Sequence, residues 1–171
     1  MDIYIGCGLT HVRRDIFAEY VTYLHDLAHA LRTIPTVANV RYALVDSDPQ
    51  LASKPASDRA TLCYDWDRRM VEEADLLIAE ASFPSTGLGI ELQIAEAAGI
   101  PVIMLIGELG TNRAERAHYE NPDHSEHDLQ IGEGIVSLMA LGLPAIRKIV
   151  QYKTFSEAIA AGVEAVRLTV K

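Results

Sequence analysis

The sequence predicts an α/β fold: a parallel sheet of about five strands with helices on both faces. Three observations predict it. Short runs such as Leu76-Leu77-Ile78-Ala79 and Val102-Ile103-Met104-Leu105-Ile106 are apolar without alternation, as in strands buried on both faces. Between such runs lie stretches with apolar residues at helical spacing. The connections are short, and regular strand–helix alternation leads to a parallel sheet. The chain has 171 residues, so 1–171 reads as a single domain, and a domain of that size buries about 70 % of its unfolded surface.

Residues 2–8 read as the first strand, ending in Gly6-Cys7-Gly8. Gly-x-Gly after a strand hints at a nucleotide-phosphate turn, but the third glycine of the dinucleotide fingerprint is missing. A helix over about 12–33 follows, with Ile16, Phe17, Tyr20, Val21, Leu24, Leu27, Ala28 and Leu31 on one stripe. Arg13 and Arg14 at its start read as solvated charges. Val40 to Val45 is the second strand, closed by an Asp46-Ser47-Asp48-Pro49 turn and a loop to Pro55. Asp46 and Asp48 lack the companion ligands of a calcium loop.

A helix over about 57–73 carries Ala60, Cys63, Tyr64, Asp67, Met70, Val71 and Ala74 on one stripe. Asp67 is the one charged member. The third strand is expected at 75–81. Phe83-Pro84-Ser85-Thr86-Gly87-Leu88-Gly89-Ile90-Glu91 then reads as a turn opening a helix, in which Ile94, Ala95 and Ala98 share a face with Glu91. After the fourth strand at Val102–Ile106, apolar periodicity vanishes. Residues 107–133 read as an inserted loop without strand or helix, and His118, His124 and His127 in it as solvated rather than metal-binding. Ile135 to Leu141 is apolar around Ser137. A fifth strand at about 146–151 precedes Thr154, an N-cap, and a final helix to about 168.

Composition narrows the function. The net charge is −9 and no basic stripe is visible, which excludes a nucleic-acid polymer as partner. One phosphate on a small ligand remains compatible, because local donors can hold it. No run of eighteen apolar residues occurs, so no membrane span is expected. Met1-Asp2-Ile3-Tyr4-Ile5 lacks the basic region of a signal peptide. The two cysteines, Cys7 and Cys63, form no metal-type pair and fit a reducing cytoplasm. No metal and no organic cofactor are expected.

Two carboxylates on core-facing stripes invite a chemical reading, since ligands of open α/β sheets bind at the carboxyl edge. A first-turn acid leaning into water is the plainer alternative for Glu91. In the active-site reading, the helix dipole keeps Glu91 ionised and like-charge repulsion keeps Asp67 protonated. One ionised and one protonated carboxyl can cleave a glycosidic bond. The N–H groups from Gly87 to Ile90, with the Ser85 hydroxyl, would suit a phosphate.

Three stretches then carry a resemblance: Ile3-Tyr4-Ile5-Gly6; Asp67 with Ala74-Asp75-Leu76-Leu77-Ile78-Ala79-Glu80; and Pro84-Ser85-x-Gly87-x-Gly89-x-Glu91-Leu92, continuing to Ile100-Pro101-Val102-Ile103. Ser137-Leu138-Met139 is a weaker fourth. The sequence resembles the nucleoside 2-deoxyribosyltransferase superfamily, above all its 2'-deoxynucleoside 5'-phosphate N-hydrolase branch. The resemblance implies a Rossmann-like (flavodoxin-like) sheet. It implies that Glu91 attacks C1' to form a deoxyribosyl ester, that Asp67 assists the leaving base, and that the Tyr4 hydroxyl orients the nucleophile. Ser85, with Gly87 and Gly89, would bind the 5'-phosphate. Ser137, beside Met139, would bind it from a neighbouring subunit, which implies a homodimer. The column where those hydrolases place a further serine falls on Gly8 or Thr10. A transferase exchanging bases on free deoxynucleosides and a non-catalytic nucleotide-sensing domain are the alternatives.

Overall fold

A computed structural model describes residues 1–110 and 112–169. Thr111, within the expected insertion, lies outside the described residues. The elements in chain order are β1 (Asp2–Cys7), α1 (Phe17–Arg32), β2 (Asn39–Tyr42), α2 (Ala43–Asp46), α3 (Asp48–Leu51), α4 (Arg59–Glu72), β3 (Leu76–Glu80), α5 (Thr86–Ala98), β4 (Val102–Gly107), β5 (His118–Glu120), β6 (Glu126–Asp128), α6 (Leu138–Leu141), β7 (Ile146–Tyr152) and α7 (Phe155–Thr169).

Five strands form one parallel sheet in the order β2-β1-β3-β4-β7. Side chains alternate across it and build two cores. Ile3, Ile5, Leu76, Ile78, Ile103 and Leu105 pack with α1 and α7. Tyr4, Leu77, Ala79, Val102 and Met104 lie on the other face, with residues of α4 and α5. The α/β expectation therefore holds, with helices on both faces. Chain direction across the sheet reverses between β1 and β3, which places a binding crevice at their carboxyl ends.

The boundaries bring several corrections. The first helix starts at Phe17, not near 12, because Val12 and Ile16 close turns onto the carbonyls of Leu9 and Arg13. The second strand stops at Tyr42. Its amide donates to Asp46 Oδ2 at 2.9 Å, and Ala43–Asp46 and Asp48–Leu51 are short helices rather than strand, turn and loop. On α4, Ala60 and Tyr64 are exposed, Tyr64 by 46 %, so the expected stripe is fully buried only from Met70 onward. The insertion is not strandless: β5 and β6 pair as an antiparallel hairpin. All six of its strand residues are exposed, so it carries no apolar alternation to reveal it. At α7, Thr154 and Glu157 form a reciprocal cap, Glu157 N–H to Thr154 Oγ1 at 3.2 Å and Thr154 N–H to Glu157 Oε2 at 3.3 Å.

Candidate active site

Tyr4 sits in β1 on the face covered by α4 and α5, fully buried. Its hydroxyl donates to Glu91 Oε1 at 2.7 Å. Glu91, in the second turn of α5, is only 8 % exposed, and its Oε2 has no partner among the described residues. Burial pushes the Glu91 carboxyl up to about 8; the Tyr4 hydrogen bond pulls it down, and the charge of Asp67 pushes it further up. This corrects the expectation that the helix dipole keeps Glu91 ionised. A dipole contributes at most about 2 kcal/mol, and desolvation of a buried carboxylate outweighs it. Burial first, and then Glu91, also hold the Tyr4 hydroxyl well above its usual range, so it stays a donor.

Asp67 projects from α4 into the same place. The Cys63 thiol, one turn earlier, donates to Asp67 Oδ2 at 3.4 Å, while Asp67 Oδ1 is buried without a partner. Burial, then Asp67, pushes Cys63 up to about 11, so the thiol keeps its proton. The two acids are thus held alike: one oxygen engaged by a protein donor, one bare. Both line a cavity of about 440 Å³ together with Cys7, Thr10, His11, Asp48, Ser85, Thr86 and Gly87.

The start of α5 forms one wall. Ser85 is its N-cap, and its Oγ accepts from the Leu88 amide at 3.1 Å. The Gly89 amide goes to the Ser85 carbonyl at 3.1 Å. The Ser85–Gly89 stretch is therefore cap and first helical turn, not a loop. The donors left at this helix start are the Thr86 and Gly87 amides and the Ser85 O–H, rather than the amides from Gly87 to Ile90. Gly8 packs against this segment: a Cβ there would lie 2.9 Å from Ser85 Cβ and 3.2 Å from the Phe83 carbonyl oxygen. Gly89 faces open space, and Gly87 meets nothing closer than Ser85 Oγ at 3.7 Å.

Tyr4, Asp67, Glu91, Gly8, Ser85 and Gly87 thus come together; Ser137 and Met139 do not. Ser137 caps α6, accepting from the Ala140 amide at 3.3 Å, and lines a separate groove with Gly89 and Ser85. Met139 is 89 % exposed. Sequence reasoning missed Cys63 as a partner of Asp67, although the i, i+4 spacing on one stripe contained it. It also missed Glu80. That carboxylate is fully buried and accepts from Tyr23 Oη at 2.8 Å, Tyr152 Oη at 2.9 Å and the Ser82 amide at 3.0 Å. Ser82 Oγ then accepts from the Gly107 amide at 2.6 Å, and the Asn112 side chain donates to the carbonyls of Ser82 and Gly107. This network ties the segment before Ser85 to the root of the insertion. Among the described residues no cluster of three or more metal-ligating side chains occurs, and no helix is long and apolar enough to cross a membrane.

Comparison with known proteins adds to this geometry. No protein-family model matches the chain. A candidate 2'-deoxynucleoside 5'-phosphate N-hydrolase from Syntrophotalea carbinolica is 50 % identical over 42 residues, 25 % of this chain and 30 % of the relative. One from Thermofilum pendens is 48 % identical over 42 residues, 25 % of this chain and 29 % of the relative. The match thus spans less than a third of those relatives. A CMP N-glycosidase structure from Clostridium botulinum superposes with a TM-score of 0.55 at 16 % identity, covering 98 % of this chain and 99 % of that one. A conserved protein from Enterococcus faecalis V583 gives a TM-score of 0.56 at 15 % identity, covering 97 % and 98 %. The chain thus shares a short stretch of sequence with candidate N-hydrolases of 2'-deoxynucleoside 5'-phosphates, in line with the resemblance read from the motifs, and shares its α/β fold along nearly the whole chain with a CMP N-glycosidase.

Proposed function

We propose that this protein is an N-glycosidase that hydrolyses the N-glycosidic bond of 2'-deoxynucleoside 5'-monophosphates. The observation that carries the reading is the pair of acids, Glu91 and Asp67, that line one cavity while each keeps one buried carboxyl oxygen without a partner among the described residues. Buried acceptors without partners are costly, and a ligand that engages them offsets the cost. Glu91 in its ionised form attacks C1', and the C1'–N bond breaks with its electron pair leaving on the base. Asp67 gives that nitrogen its proton. Water, deprotonated by Asp67, then cleaves the deoxyribosyl ester and returns Glu91 as a carboxylate. Tyr4 holds the non-attacking oxygen throughout. The Ser85 hydroxyl and the Thr86 and Gly87 amides receive the 5'-phosphate at the start of α5.

The active form is a homodimer in this reading. Ser137, outside its own cavity and next to the exposed Leu138 and Met139, then reaches a partner's phosphate site. The compartment is a reducing cytoplasm, in which both thiols stay free. A second reading, base exchange on free deoxynucleosides, is favoured by one observation: Asp48, Asp67 and Glu91 line the cavity, and among the described residues no lysine or arginine does.

The test is incubation with dAMP or dCMP, then with a free deoxynucleoside plus a second base, following base release. Release of base from the nucleotides, abolished by Glu91→Ala, is expected. Base exchange in place of hydrolysis establishes the second reading, and full turnover by the Glu91→Ala protein removes Glu91 as nucleophile.

A further inference from the structure

The cavity has two unlike ends. At one, Glu91, held from behind by Tyr4, lies beside the start of α5 with Ser85, Thr86 and Gly87. At the other, Cys63 and Asp67 of α4 meet α3, which packs against α4 and brings Asp48 and Leu51 to the cavity wall. Asp48 lies close enough to Cys63 that its charge adds to burial and Asp67 in raising the thiol. Its carboxylate makes no hydrogen bond or ion pair with any described residue. Ala43, also on the wall, and Leu51 supply apolar surface on either side of it in sequence. The cavity is built for an occupant, because the carboxyl of Glu91 borders it with one oxygen buried and unpartnered.

We propose that the α3–α4 end takes the nucleobase, and that Asp48 selects bases with an amino group at the pyrimidine 4-position or purine 6-position, cytosine and adenine, over uracil and hypoxanthine, which carry a keto oxygen there. The proposal rests on the N-glycosidase reading, which orients the ligand. If Glu91 faces C1' and Asp67 serves the leaving nitrogen, the base extends past Asp67 toward Cys63 and Asp48. A carboxylate only accepts hydrogen bonds. It pairs with the amino group of cytosine or adenine, and it repels the carbonyl oxygen that uracil or hypoxanthine presents at the same position. The neighbouring ring nitrogen has the opposite polarity, an acceptor in cytosine and adenine and an N–H donor in uracil and hypoxanthine, so the preference requires that Asp48 face the exocyclic group and not the ring nitrogen.

The test compares kcat/KM within two pairs that differ at a single substituent, dCMP against dUMP and dAMP against dIMP. The amino member of each pair is expected to lead by about tenfold to a hundredfold, the range of a hydrogen bond to a charged group. Asp48→Asn supplies an amide that donates as well as accepts; it should bring both ratios toward one, with gains on dUMP and dIMP. Asp48→Ser, whose hydroxyl also does both, repeats the measurement. Equal rates within each pair, or ratios that survive both substitutions, overturn the proposal. If no nucleotide loses its base at all, the hydrolase reading has failed on its own. Calorimetric titration with free cytosine against uracil and adenine against hypoxanthine then decides the subsite: an Asp48-dependent preference sustains it, and equal or absent binding overturns it.

Discussion

A Cβ at position 6 would lie 2.5 Å from Glu91 Oε2 and 3.0 Å from Leu88 Cδ1. The carboxylate on α5 fits against β1 only because residue 6 is glycine. Glu91 cannot swing freely to make room, since Tyr4 holds its other oxygen. Gly6→Ala is therefore expected to displace the proposed nucleophile and cut base release by about a hundredfold, the scale of an ångström-level misplacement. Circular dichroism and a thermal melt check that the sheet survives. Near-native turnover by a folded Gly6→Ala protein would remove the claim.

Stability should fall as pH rises through the range in which Glu91 titrates. The folded protein holds this carboxyl at about 8, against an ordinary value of 4.5. Below 4.5 both states are protonated and burial of the acid carries no electrostatic penalty. Between 4.5 and 8 the unfolded chain has released the proton and the folded one has not, so each step up in pH favours unfolding. The loss is on the order of 5 kcal/mol at most. Glu91→Gln, neutral throughout, should flatten the curve and melt higher than the parent at pH 8. Parallel stability curves for the two proteins from pH 5 to 8 would contradict this.

The same titration governs activity in the opposite sense. Attack requires the carboxylate, so kcat/KM should climb with pH toward a midpoint near 8. Tyr4→Phe deletes the one interaction that lowers the Glu91 value. Its profile should shift to higher pH, with about a tenfold deficit at neutrality that narrows in alkali. A uniform deficit at every pH would mean that Tyr4 acts only through packing.

Tyr152→Phe probes the second buried acid. Tyr152 Oη donates to Glu80 Oε2 and lies 3.0 Å from Ser82 Oγ. Losing a donor to a buried carboxylate costs about 1 to 3 kcal/mol, measurable as a lower urea midpoint. Amide exchange should quicken at Gly107, whose N–H bonds to Ser82 Oγ. An unchanged midpoint would show that Tyr23 and the Ser82 amide suffice for Glu80.

The sheet was legible because its central strands β3 and β4 are near-continuous apolar runs and its long helices keep a helical stripe. Those patterns survive without knowledge of partners. Asp67 and Glu91 were legible as charges interrupting such stripes. What stayed hidden depends on tertiary neighbours. The titration of Glu91 follows from enclosure on all sides, which no dipole argument along one helix contains. Glu80 reads as the polar end of a strand until Tyr23 and Tyr152, remote in sequence, close over it. Ala43-Leu44-Val45 looks like a strand continuing, yet the Asp46 side chain takes the Tyr42 amide and the chain winds into α2. The hairpin of the insertion escaped because exposed strands need no apolar period.

That hairpin adds no buried side chain to either core, and its strands bond to each other rather than to the main sheet. Selection for a stable protein therefore has little hold on residues 118–128. Sequence drift, lengthening or proteolytic nicking there should leave the sheet standing, so related chains are free to diverge most at this point while keeping the same carboxylate pair.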